Sequence, residues 1–144
     1  MPVTSVTAAL QVARAFFDAY DKHDVDAMLS LCSDEAQVRY VPMGAQGTGP
    51  AAEVGKTIWS GLLDAFPDLH VRPGLTFGDD RYVAAEVMIG GTQEKDFLDI
   101  PSQGRSYDLP HAFILEVDDG MIAQVTAYWD NSDFYRQLGA TPTT

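Results

Sequence analysis

GRSYDLPHAFILEVDDGMIAQVTAYWDNSDFYRQLG, residues 104–139, holds two runs rich in β-branched and aromatic residues, joined by Asp118-Asp119-Gly120. An Asp-Gly pair between apolar runs is a hairpin turn, because both residues tolerate the positive φ of a two-residue connection. The spacing predicts strands over about 105–118 and 121–130, then a short C-terminal helix that ends in Arg136-Gln137-Leu138-Gly139. Period-two alternation sets Leu109, His111, Phe113 and Leu115 against Pro110, Ala112, Ile114 and Glu116. One histidine therefore stands in an otherwise apolar strand face, where a small pocket would be built.

Upstream of this block the strand signals continue. Residues 68–78 and 81–93 are strand-like and meet at Gly78-Asp79-Asp80. Along the second of them Val83, Ala85, Val87 and Ile89 share one side, and Tyr82, Ala84, Glu86 and Met88 the other. Further upstream the period becomes helical. Ala8, Leu10, Val12, Ala13, Phe16, Phe17 and Tyr20 recur at three- and four-residue intervals, predicting an amphipathic helix over about 4–22. A second helix follows Asp24 with Val25, Met28, Leu29 and Cys32 as its buried stripe, and a strand follows over about 35–42. The glycine-rich segment 44–50 reads as a loop, and about residues 50–65 as a third helix with Val54, Ile58 and Leu62 on one stripe and Pro67 as its stop. Helices followed by antiparallel strands predict an α+β domain over 1–144, with three N-terminal helices packed on one face of a curved sheet.

Nine basic residues against 21 acidic ones give a net charge of -12, which repels phosphate backbones and argues against nucleic acid as a partner. No run of 18 apolar residues exists to cross a bilayer as a helix, and the N-terminus lacks a basic segment followed by an apolar one, so a cytoplasmic location and no membrane partner are expected. The single Cys32 excludes an intrachain disulfide, and its apolar setting suits core packing. No His-x-x-x-His spacing, carboxylate cluster, Gly-x-Gly-x-x-Gly or phosphate-loop pattern is present, so no metal and no cofactor is expected.

Four landmarks carry a family likeness: Phe66-Pro67-Asp68-Leu69 after the third helix, Gly91-Thr92, the loop FLDIPSQGR at 97–105, and DGMI with the later RQLG. With the element order, the chain resembles the SnoaL-like polyketide cyclases, whose cone-shaped fold is shared with nuclear transport factor 2, ketosteroid isomerase and limonene epoxide hydrolase. The resemblance implies a cofactor-independent enzyme of antibiotic-type polyketide biosynthesis. Such an enzyme would bind a small apolar substrate in the cone and promote its cyclisation, by an aldol-type step or a cycloaddition. An isomerase, dehydratase or divergent epoxide hydrolase, and a non-catalytic ligand-binding or dimerisation module, are the alternatives this fold also hosts.

The resemblance places an acid seven residues after the hairpin glycine, where this chain has Ala127. Asp130 nearby suits a helix cap, and the hydrolase-type Arg-x-Asp pair falls on Glu86 and Met88. If family geometry holds, Glu86 and His111 point into the cone as a proton-transfer pair and Tyr40 donates to a carbonyl oxygen. Phe17, Trp59, Met88, Phe113, Ala127 and Trp129 would then be its walls. The pairing has a chemical logic. Desolvation raises a glutamate pKa, a carboxylate raises that of histidine from about 6.5, and the two meet near neutrality. The other sheet face, with Val83, Ala85, Val87, Ile89, Ala112, Ile114, Thr126 and Tyr128, is expected to be apolar and to form a homodimer.

Overall fold

A computed structural model describes residues 5–141. Helix α1 spans Val6–Asp21; the expected start at residue 4 lies outside the described residues. It begins where the Ser5 hydroxyl accepts the Ala8 N–H at 3.0 Å, a cap that satisfies one of the free donors of the first turn. Its buried stripe is Ala9, Ala13, Phe16, Phe17 and Tyr20. Each of the three rings contributes roughly 1.5–3 kcal/mol by leaving water. After a turn at His23 (φ 61°), Asp24 caps α2, Val25–Ser30, by accepting from Ala27 N–H at 3.0 Å.

The sheet has six strands: β1 Cys32–Tyr40, β2 Thr48–Pro50, β3 His70–Gly78, β4 Tyr82–Thr92, β5 Ser106–Asp118 and β6 Met121–Trp129. Their order is β2-β1-β6-β5-β4-β3, with β1 and β6 parallel and every other pair antiparallel. Helix α3, Lys56–Ala65, and helix α4, Asn131–Gln137, complete the α+β fold expected from the sequence.

The central elements start differently from the expectation. Cys32 begins β1 rather than ending α2; its thiol donates to the Met28 carbonyl at 3.5 Å, and burial pushes its pKa up to about 11. The glycine-rich loop contains a 3₁₀ turn, Val41–Gly47, and the edge strand β2, where Pro50 pairs with Gln37. An edge tolerates a proline because no further strand needs its missing N–H. Residues Ala51–Gly55 wind as a π turn, so the regular third helix starts only at Lys56.

Register fixes which face holds the core. The β4–β5 ladder pairs Val87 with His111, Ile89 with Leu109 and Ala85 with Phe113, and all six except the partly exposed His111 are buried. Val83, Ala85, Val87 and Ile89 therefore face inward, not outward as expected. Glu86 pairs with Ala112 and is exposed on the outer face, beside Ala84 and Met88. On β6 the inward residues Ile122 and Val125 are three apart, because Ala123 is an extra residue between the pairs Glu116–Gln124 and Val117–Ile122. That bulge reverses the alternation. Without it Trp129 would face away from His111, its partner across the ladder.

Candidate active site

Inside the curve of the sheet, beneath α1 and α3, lies a cavity of about 640 Å³. That size suits a drug-sized molecule. Ile58, Leu62, Ile89, Phe97, Phe113 and Trp129 supply apolar wall, and Met43 and Leu98 stand at its mouth side. Polar groups on the wall are few: the phenols of Tyr20, Tyr40, Tyr107 and Tyr135, the imidazole of His111, the carboxylate of Asp99, Gln46 from the 3₁₀ turn and Asn131 at the start of α4.

Tyr40 ends β1, where the parallel ladder sets it beside Ala127. Its hydroxyl oxygen accepts the Trp59 indole N–H at 2.7 Å, and the Tyr20 hydroxyl interacts with the same group. With its oxygen accepting from Trp59, the Tyr40 hydroxyl keeps one proton to donate, either to Tyr20 or to a group in the cavity. Burial holds the Tyr40 pKa well above the usual phenol value, so the group is a donor and not a phenolate. Trp59 reaches it because Gly55 lacks a side chain: a Cβ there would lie 3.0 Å from the indole ring and 3.1 Å from Val38.

His111 is oriented by its own strand. Nδ1 donates to the Leu109 carbonyl at 2.9 Å, which leaves Nε2 as the acceptor in the neutral ring. Burial outweighs the opposing effect of that backbone bond and pushes the pKa down to about 4. The imidazole is therefore neutral at neutral pH. Its ring stacks with Phe113 at 6.1 Å and tilts against Trp129 at 5.3 Å. Tyr40 packs edge-on to the same two rings, at 6.1 and 5.7 Å. A phenol donor and an imidazole acceptor thus lean on one aromatic pair and open into one cavity.

The other expected site residues divide. Phe113 and Trp129 line the cavity. Phe17 packs behind it on Phe113 at 5.3 Å, Trp59 supports Tyr40, and Ala127 is fully buried opposite Phe113. Met88 and Glu86 lie on the outer face, so the Glu86–His111 pair does not form: alternation in the observed register gives that neighbour position to Val87. Asp130 caps α4 by accepting from Asp133 N–H at 3.1 Å.

Several cavity residues were not anticipated. Tyr107 begins the inward alternation of β5, and strict parity from His111 would have found it. Asp99 and Tyr135 are joined at the mouth by a 2.6 Å hydrogen bond from the phenol, whose pKa burial and that carboxylate raise to about 12. They stand 36 residues apart on a loop and on α4, so no local pattern links them. The loop is held by buried Gln93, whose amide donates to the Ile100 carbonyl at 2.9 Å.

Among solved structures the chain is similar to a protein from Jannaschia sp. CCS1 assigned as a SnoaL-like polyketide cyclase, with TM-score 0.82, 17% identity and 94% of each chain covered. It is similar also to AclR from Streptomyces galilaeus, assigned as a hydroxylase, with TM-score 0.82, 16% identity and 97% of this chain against 90% of that one. IdmH from Streptomyces antibioticus, assigned as a polyketide cyclase, gives TM-score 0.76 at 20% identity, covering 90% and 97%. At these identities the likeness is one of fold, and that fold carries more than one assigned reaction. Among curated proteins none matches. The model of the SnoaL-like domain matches residues 13–125, which contain both Tyr40 and His111, and the chain belongs to that family.

Proposed function

We propose that this protein is a cofactor-independent enzyme that folds a small, largely apolar, polyketide-like substrate within the cone and promotes its ring closure. The observation that carries the reading is the pairing of the Tyr40 hydroxyl, which accepts from Trp59 and keeps its own proton, with a neutral His111 acceptor in one apolar cavity. Tyr40 would donate to a substrate carbonyl, stabilising negative charge that develops on its oxygen. Holding a flexible chain in its reactive fold supplies the larger share, since well-oriented intramolecular reactions gain as much as roughly 7–11 kcal/mol.

Two features favour a closure that needs little proton transfer. Ala127 offers no carboxylate, and a histidine with a pKa near 4 is a weak base towards carbon acids. In a cycloaddition no proton moves: two new bonds form from the substrate's own π electrons, His111 Nε2 orients a hydroxyl, and Tyr40 polarises the conjugated carbonyl. The phenols and imidazole on the wall speak against a purely apolar ligand-binding module. The outer face, with Met88, Ala112, Ile114 and Tyr128, suits a homodimer, for which Ile114→Lys with light-scattering mass is the check.

Deleting the gene in its host and comparing metabolites by mass tests the reading. The accumulating compound should be an isomer of the product, or one water heavier, and the purified protein should convert it with no added cofactor. Gain of an oxygen atom, or dependence on O₂ and a reductant, would refute it.

A further inference from the structure

The cavity does not end at its mouth. A groove of about 500 Å³ continues from it between α3, the 3₁₀ turn and the 94–105 loop, and Met43, Gln46, Ile58, Phe97 and Leu98 line both spaces. Its floor includes Gly61, in the interior of α3. Glycine disfavours a helix interior relative to alanine, so its presence asks for a reason. Neither backbone nor packing gives one: its φ is not positive, and a Cβ there would meet only Phe97, at an ordinary 3.7 Å. What a side chain at residue 61 would do is project into the groove.

The rim of the groove is acidic. Glu53, Asp64 and Asp96 border it. Lys95 pairs with Asp64 at 2.8 Å, and Asp96 accepts the Ser102 N–H at 2.9 Å. In a chain of net charge -12 this border repels carboxylates and phosphates.

We propose that this groove is a second subsite, which takes an apolar, non-anionic arm of the same molecule whose reacting part lies in the cavity. The inference rests on the cavity reading above and extends it to substrate class. The substrate is a free molecule longer than the cavity, with a hydrocarbon arm, and not a thioester on a phosphopantetheine carrier, whose phosphate and acidic carrier the rim would repel.

Two neutral fluorescent ketones test this: 2-dimethylamino-6-propionylnaphthalene, which the cavity alone accommodates, and its octanoyl homologue, whose arm needs the groove. The octanoyl compound should bind at least about tenfold more tightly, the gain that two or more buried methylenes confer. In Gly61→Leu, a substitution that favours the helix, the two ketones should bind alike. In the unaltered protein a carboxylate at the end of the octanoyl arm should cancel the gain. An octanoyl advantage that survives Gly61→Leu, or none in the unaltered protein, overturns the groove and leaves the cavity reading standing. A carboxylate-ended arm that keeps the full gain overturns the charge selection. If neither ketone binds, the cavity reading fails and the groove with it.

Discussion

Replacing His111 by phenylalanine should change how stability depends on pH. In the folded protein burial pushes the imidazole down to about 4, against 6.5 for a free histidine. Between those values the unfolded chain binds a proton that the folded chain refuses. Stability from this residue is therefore complete above pH 6.5 and is lost as pH falls towards 4. The slope approaches roughly 1.4 kcal/mol per pH unit below pH 6.5, so about 2 kcal/mol disappears between pH 7.5 and 5. Phenylalanine has no proton to bind and keeps the ring contacts with Phe113 and Trp129. Urea unfolding from pH 7.5 to 5 should show the unaltered protein losing about 2 kcal/mol more than the variant, since effects of the 21 acidic side chains cancel in the difference. A difference that stays constant over this range, or an imidazole that titrates near 6.5 by NMR, would show that His111 is solvated and not part of an apolar cavity wall.

Tyr40→Phe should slow turnover of the accumulated intermediate by about 10²–10³-fold, the usual cost of a lost donor to a developing oxyanion. Urea unfolding of the same variant should show about 1–3 kcal/mol lost, because the Trp59 indole N–H is left unpaired. Ala127→Asp should lower stability by about 3–5 kcal/mol at pH 7, since the new carboxylate is fully buried against Tyr40 and Phe113; thermal and urea unfolding report it. Gly61→Ala should raise stability by about 0.5–1 kcal/mol, read by the same unfolding curves, because helix propensity is gained without a clash.

The sheet and helices were legible in the sequence because α1 and β5 carry a clean period and turn residues bound the strands. Alternation from Leu109 to Leu115, the Asp119-Gly120 turn and the aromatic stripe of α1 all point to the same arrangement. His111, Tyr40, Phe113 and Trp129 reach the cavity for that reason. Glu86 misleads because both faces of β4 are largely apolar, and the 13 residues between β4 and β5 set no register by themselves. Only the pairing of Val87 with His111 decides the side. The mouth was illegible for a different reason. Asp99, Tyr135 and Leu98 meet through long-range contacts of a loop whose path depends on Gln93, Asp96 and α4. The groove at Gly61 is an absence of side chain, which no pattern of apolar positions reveals.

A crystal structure with 2-dimethylamino-6-propionylnaphthalene bound would show whether Tyr40 and His111 serve a ligand inside the cone. The naphthalene should lie between the sheet and α3, against Phe113 and Trp129, with its carbonyl oxygen about 3 Å from the Tyr40 hydroxyl. A ketone bound only outside the cone, with water alone beside Tyr40 and His111, would contradict that role.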